Sequence, residues 1–163
     1  MSRRTLFDGE RSVYWPTEFS DVVNVLKGIQ PGNLRHPAFY KYNTGVLVLA
    51  AMVGFAHRRK RDVGNARQEI NISTFEAHKL GDASLASFIF LVALLGGCEL
   101  EALRSGSEDE VIRTFERYAA GGLQVLQEAF ATSSDPTGLN AVLAEIERYI
   151  DASSQVADRH AQR

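Results

Sequence analysis

Two short, strongly apolar segments constrain this chain more than any other feature. Gly45–Ala56 reads GVLVLAAMVGFA and Leu85–Gly97 reads LASFIFLVALLGG, 12 and 13 residues. A membrane span needs about 20. Segments that are apolar on every side and too short to cross a bilayer belong in the interior of a fold, as helices surrounded by other elements. Asn43 or Thr44 can cap the first; Asp82 or Ser84 can cap the second, which closes on Gly96-Gly97. A chain of 163 residues is one ordinary domain, and it hides roughly 70% of its unfolded surface without help from metals or disulfides. With 45% hydrophobic and 23% charged residues, general disorder is excluded. The single cysteine, Cys98, can form neither an internal disulfide nor a structural zinc site. The start, MSRRTLFDGERS, has no apolar run behind its arginines, and no signal peptide is expected there. The expectation is a cytoplasmic protein that does not enter the membrane.

Periodicity fills in the remainder. Phe19, Val22, Val23 and Leu26 fall on one face of a short helix opened by Pro16-Thr17 and stopped by Gly28 and Pro31-Gly32. Ser107 and Glu110 form an S-x-x-E capping box ahead of a stripe of Val111, Phe115 and Tyr118. Gly121-Gly122 is expected to interrupt that helix before Leu123, Leu126 and Phe130 resume it. Asp135-Pro136 reads as N-cap and first position of a last helix carrying Leu139, Val142, Leu143, Ile146 and Ile150. Glu69–Phe75, EINISTF, alternates and is the one good strand candidate. Its hydrogen bonds need a partner: the loop near Tyr40–Asn43, a hidden second strand, or the same strand of another subunit. Residues 1–15 are expected to be a flexible arm, 16–151 a single helical domain, and 152–163 a frayed tail. The predicted fold class is mainly α: a compact helical bundle with a short β element.

Catalytic and cofactor signatures are missing from the sequence. There is no phosphate-binding G-x-x-x-x-G-K-[ST] loop, no G-x-G-x-x-G after a strand, and no G-x-S-x-G elbow. His36, His57, His78 and His160 show no metal-binding spacing. Cys98 follows an apolar helix and reads as a buried, inert thiol. The triplet Glu108-Asp109-Glu110 is accounted for by the positive end of a helix dipole. No catalytic residue, metal or cofactor is expected.

One feature carries chemistry. Arg58, Arg59, Lys60 and Arg61 are consecutive, and Arg67 follows. Residues 1–98 hold 12 Lys/Arg against 8 Asp/Glu, a net of +4, while residues 99–163 hold 6 against 12, a net of −6. Some cations at the end of an apolar helix complement its dipole, but four in a row cannot all do so. Adjacent like charges repel and are relieved by a polyanion, and nucleic-acid phosphate is the commonest. A solvated surface loop is the competing reading. The expected DNA-binding residues are therefore Arg58, Arg59, Lys60, Arg61 and Arg67, with Arg35 and Lys41 as possible extensions. No helix with regularly spaced base-reading side chains is evident, so contact with the phosphate backbone without sequence specificity is expected.

The order of these features resembles a known group. VLVLAAMVGF is followed by HRRKR, then Glu69-Ile-Asn-Ile-Ser73, the apolar FIFLVALL, and an acidic helix that ends in Ala119-Ala-Gly-Gly-Leu-Gln-Val-Leu126. This resembles the small accessory proteins associated with bacterial and archaeal DNA phosphorothioation (Dnd) systems. It is more distantly similar to DndE, through Gly54-Phe55, Glu69-Ile70-Asn71 and the Phe115 to Leu123 segment. DndE-like sequences have a basic or aromatic residue after the Asn, where this chain has Ile72. The resemblance covers about residues 43–130. It implies a mainly helical fold reminiscent of ribbon-helix-helix proteins. It also implies a non-enzymatic role in phosphorothioate-based modification or restriction, an anti-phage defence, with other Dnd proteins as partners; a second copy of the chain is expected as a partner from the strand's need for a pairing edge. An adaptor docking on an ATPase or nuclease subunit is the alternative. A small transcriptional repressor ranks last.

Overall fold

The computed structural model describes residues 6–7, 10–30, 32, 35–103 and 107–161. The first element among the described residues is strand β1 (Ser12–Pro16). A 3-10 turn (Thr17–Phe19) leads into α1 (Ser20–Leu26), and α2 (Asn43–Ala56) follows. Strand β2 (Arg67–Asn71) runs directly into α3 (Ile72–Ala77). A small hairpin of β3 (Lys79–Leu80) and β4 (Ala83–Ser84) precedes α4 (Leu85–Leu95). Then come a 3-10 turn (Leu100–Leu103), the long α5 (Glu108–Thr132) and α6 (Leu139–Ala161). The fold is mainly α, as the patterning predicts, and its β structure is two small antiparallel sheets. No helix among the described residues is long and apolar enough to cross a membrane.

The two apolar segments are α2 and α4, and both pack on α5. Gly121 and Gly122 do not interrupt α5; they let other backbone approach it. A Cβ at Gly122 would sit 1.6 Å from the Ala50 carbonyl oxygen, and one at Gly54 would sit 2.0 Å from that of Tyr118. Helix α2 therefore crosses α5 backbone against backbone, and glycine is required by the crossing rather than by a turn. Phe115 fills the centre, edge-on to Phe75 with ring centroids 6.0 Å apart.

Residues 12–15 of the expected arm belong to the core. β1 pairs antiparallel with β2, Ser12 opposite Asn71 and Pro16 opposite Arg67. Val13 and Trp15 are 0% and 2% exposed. The apolar side chains alternate inward at the period of a strand, and Phe7, also buried, stacks on Phe90. Residues 1–5 lie outside the described residues. Of the three partners open to the strand candidate, the structure supplies the hidden second strand of the same chain. The candidate also ends sooner than the alternation suggests. The Asn71 side chain accepts the Ser73 N–H at 2.9 Å, so Asn71 caps α3 and ends β2. The last helix starts at Leu139 rather than at Pro136, because Gly138 adopts a positive φ of 73°. It continues through Ala161, beyond the expected end at residue 151. Residues 162–163 are outside the described residues.

Candidate functional site

The basic run begins where α2 stops. Arg58 N–H donates to the Phe55 carbonyl and Arg59 N–H to that of Gly54 at 2.8 Å. These are the paired bonds of a Schellman cap, and Arg58 occupies its left-handed position with φ 52°. Glycine is the usual residue there, and an L-residue costs about 1–2 kcal/mol more. Arg58 is exposed and makes no ion pair or ring contact among the described residues.

Beyond the cap the chain forms a strap across α5. The Arg59 carbonyl lies against Gly121, where a Cβ would come within 2.1 Å of it. Arg61 N–H donates to the Arg117 carbonyl at 3.0 Å. The strap's side chains find partners in the same chain. One Arg59 guanidinium nitrogen reaches both Glu128 oxygens, at 3.0 and 2.9 Å. Arg61 pairs with Glu18 and lies over the Phe19 ring. Lys60 sits 4.9 Å from the Tyr118 ring centroid, and Arg67 stacks 4.0 Å from that of Tyr14. Intramolecular carboxylates thus take up part of the charge. The pairs are all at the surface: the Arg59 and Glu128 side chains are 41% and 57% exposed, Arg61 and Glu18 35% and 55%. Exposed pairs of this kind contribute about 0–1 kcal/mol each.

The fold adds two cations that the basic run does not contain. Arg117 on α5 pairs through Nε with Asp62 of the strap at 3.0 Å. Arg113, one turn earlier and exposed, lies with Arg67 in the field of Glu116. Glu116 is half-buried and accepts the Tyr14 N–H at 2.8 Å. Burial pushes its carboxyl above the usual carboxylate range, opposed by the Tyr14 bond, Arg67 and Arg113. The result is a continuous band from Arg58 through Arg59–Arg61, Arg117 and Arg113 to Arg67. Nothing local in the sequence marks Arg113 and Arg117, because they sit in an acidic helix. Lys41 does not join the band. It precedes α2, about 20 Å from the strap by the rise of a 14-residue helix, and lies over Tyr42, which stacks on His78.

Other candidates resolve locally. Arg11 bridges Glu108 and Asp109, which gives two members of the acidic triplet a structural role at the start of α5. Cys98 Sγ lies 3.3 Å from the Thr114 hydroxyl.

The family model described as DNA sulphur modification system-associated protein 4 matches residues 15–160. The chain belongs to this family. The match runs well beyond the 43–130 segment that carries the resemblance, taking in β1 from Trp15 and nearly all of α6. Membership makes the chain an accessory protein associated with a Dnd phosphorothioation system. No curated protein matches it, and no solved structure does.

Proposed function

We propose that this Dnd-associated protein is a non-enzymatic accessory factor that holds duplex DNA by its phosphates. The observation that carries the proposal is the composition of the band along α5. With Arg11 at its Arg67–Arg113 end, the band holds eight cations, Arg11, Arg58, Arg59, Lys60, Arg61, Arg67, Arg113 and Arg117, against six carboxylates, Glu10, Glu18, Asp62, Asp109, Glu116 and Glu128. The excess is positive in a chain whose net charge is −2. The pairs within it are weak enough to exchange a carboxylate for a phosphate oxygen, which an arginine fork meets equally well. Arg58 strengthens the reading: a cation without a partner among the described residues stands where glycine would be cheaper. Contacts of this type position a protein on DNA without reading sequence.

The test is fluorescence anisotropy with a labelled duplex, with and without a phosphorothioate linkage. Replacement of Arg58, Lys60, Arg113 and Arg117 by Gln is expected to weaken binding to both duplexes at least tenfold. Equal binding by the variant and the parent would overturn the proposal. A second reading, docking on another protein of the same system, is favoured by an exposed apolar groove beside the start of the strap.

A further inference from the structure

The end of α2 opposite the strap carries a surface of different chemistry. The loop before α2 supplies Phe39, Tyr40, Lys41 and Tyr42, and the chain entering the β3–β4 hairpin supplies His78 and Lys79. The Phe39 and Tyr40 N–H groups both donate to the Leu26 carbonyl at 3.1 Å, which anchors the loop. The Tyr42 ring lies flat on the His78 ring, with centroids 4.1 Å apart and planes 15° from parallel.

His78 is fixed on several sides. Its Nδ1 lies 2.7 Å from the hydroxyl of Thr44, a residue only 1% exposed. Its N–H donates to the Thr74 carbonyl at 3.1 Å, and its own carbonyl accepts the Leu85 N–H at 2.8 Å. One residue therefore ties together the starts of α2 and α4 and the end of α3. The ring stacked on it is not part of the core, for Tyr42 is 46% exposed. An aromatic ring backed by a fixed second ring and open to solvent is a stacking platform. The Lys41 ammonium stands 5.1 Å from the Tyr42 centroid; such an exposed contact contributes about 0.5–1 kcal/mol and yields readily to a base.

The charge around the platform is positive. Residues 35–45 and 78–86 hold Arg35, Lys41 and Lys79 against Asp82 alone. Glu76, just before them on α3, is occupied by the Leu6 and Phe7 N–H groups. Neither α2 nor α4 has an acid in its first turn, so the positive ends of both dipoles add to the field. An occupant has to offer planar faces and negative charge together. A run of carboxylates meets only the second requirement. A duplex keeps its bases stacked on one another, whereas a single strand can offer both.

We infer that Tyr42, stacked on His78, is a platform for an unpaired nucleobase of single-stranded nucleic acid, with Lys41 and Lys79 on the flanking phosphates. The inference is independent of the duplex reading, because the platform stands about 20 Å from the strap by the rise of α2.

The test is fluorescence anisotropy at low salt with the full chain and three labelled probes: single-stranded (dT)12, a strand of the same length made of abasic sites, and a duplex of the same length. The (dT)12 strand is expected to bind at least fivefold more tightly than the abasic strand. Tyr42→Leu is expected to remove that advantage and leave duplex binding unchanged, with the melting temperature held; Tyr42→Phe is expected to keep the advantage. Lys41→Gln with Lys79→Gln is expected to weaken both single strands. Equal affinity for (dT)12 and the abasic strand would overturn the inference, as would no binding of (dT)12 up to about 1 mM. So would an advantage that survives Tyr42→Leu, or displacement of (dT)12 by polyglutamate as readily as by unlabelled (dT)12. Repeating the comparison with Arg58, Lys60, Arg113 and Arg117 replaced by Gln separates the two readings: the advantage of (dT)12 is expected to remain when the band is disabled, and its loss there would assign it to the band.

Discussion

Replacing Gly122 by Ala tests whether α2 and α5 meet through their backbones. The added Cβ would lie 1.6 Å from the Ala50 carbonyl oxygen and 2.8 Å from the Gly54 amide nitrogen, whereas ordinary contact begins near 3.4 Å. Both obstacles are main-chain atoms of a buried helix, so no rotamer change relieves the overlap and the helices must separate. Overpacking costs about 1–3 kcal/mol, and a clash that only backbone movement can relieve belongs at the upper end. Against it stands the better helix propensity of Ala, about 1 kcal/mol. The net expectation is a loss of about 2 kcal/mol. For a domain of this size, that lowers Tm by roughly 4–8 °C at 2–4 °C per kcal/mol. Thermal unfolding followed by circular dichroism measures it. The sign is decisive: if these glycines only weakened an ordinary helix, Gly122→Ala would raise Tm. A Tm unchanged or higher would refute the close crossing.

Other parts of the structure make their own predictions. Arg58→Gly relieves a left-handed arginine, so Tm is expected to hold or rise, by no more than about 1–2 kcal/mol in stability; a marked fall would show that the cap geometry is wrong. Trp15→Ala is expected to cost about 3–5 kcal/mol in urea unfolding, whereas a residue in a mobile arm would cost almost nothing. Asp135 is held below the usual carboxylate range, first by the Asn140 N–H and then by Thr137. A depressed folded-state pKa gives stability that is present above the unfolded value, near 3.8, and is lost as pH falls through the folded one. The protection of the amides at the start of α6, taken relative to their intrinsic exchange rate at each pH, is expected to fall in acid over that window, and Asp135→Asn should remove this pH dependence; an unchanged profile in the variant would count against the cap. Glu116 has the opposite sign. Its raised carboxyl favours the fold at low pH and loses that contribution as pH rises through the folded value, so Glu116→Gln should flatten stability against pH above the ordinary glutamate range.

What could be read from sequence divides along the range of the interaction. Helices α2 and α4 were legible because their environment is written into their composition: nothing but the interior accepts GVLVLAAMVGFA. The Gly121-Gly122 pair misleads because glycine looks the same whether it ends a helix or opens a crossing, and the Ala50 carbonyl that requires it lies in a different helix. β1 escapes for a similar reason. SVYWP is short and ends in proline, and its partner begins at Arg67, so no hairpin signal links the two. In the site, the run Arg58–Arg61 is visible as charge. Its neighbours are not, because Glu18 and Glu128 stand 43 and 69 positions away. Arg113 and Arg117 are hidden by the acidic residues of α5; the strap brings Arg117 into the band, and β2, through Arg67 beside Glu116, brings in Arg113. The exposed apolar stripe of α6, Leu139, Leu143, Ile146 and Ile150, reads as core by its periodicity. The fold gives that helix only one packed side.

The central claim is that the band along α5 exchanges its counter-charges for DNA phosphate. Its most direct measurement is the slope of log K against log salt concentration for duplex binding, compared between the parent chain and Arg58→Gln/Lys60→Gln. Each phosphate contact contributes about −0.9 to that slope, so the double variant is expected to be shallower by nearly two. An identical slope, or binding insensitive to salt in the parent, would contradict it.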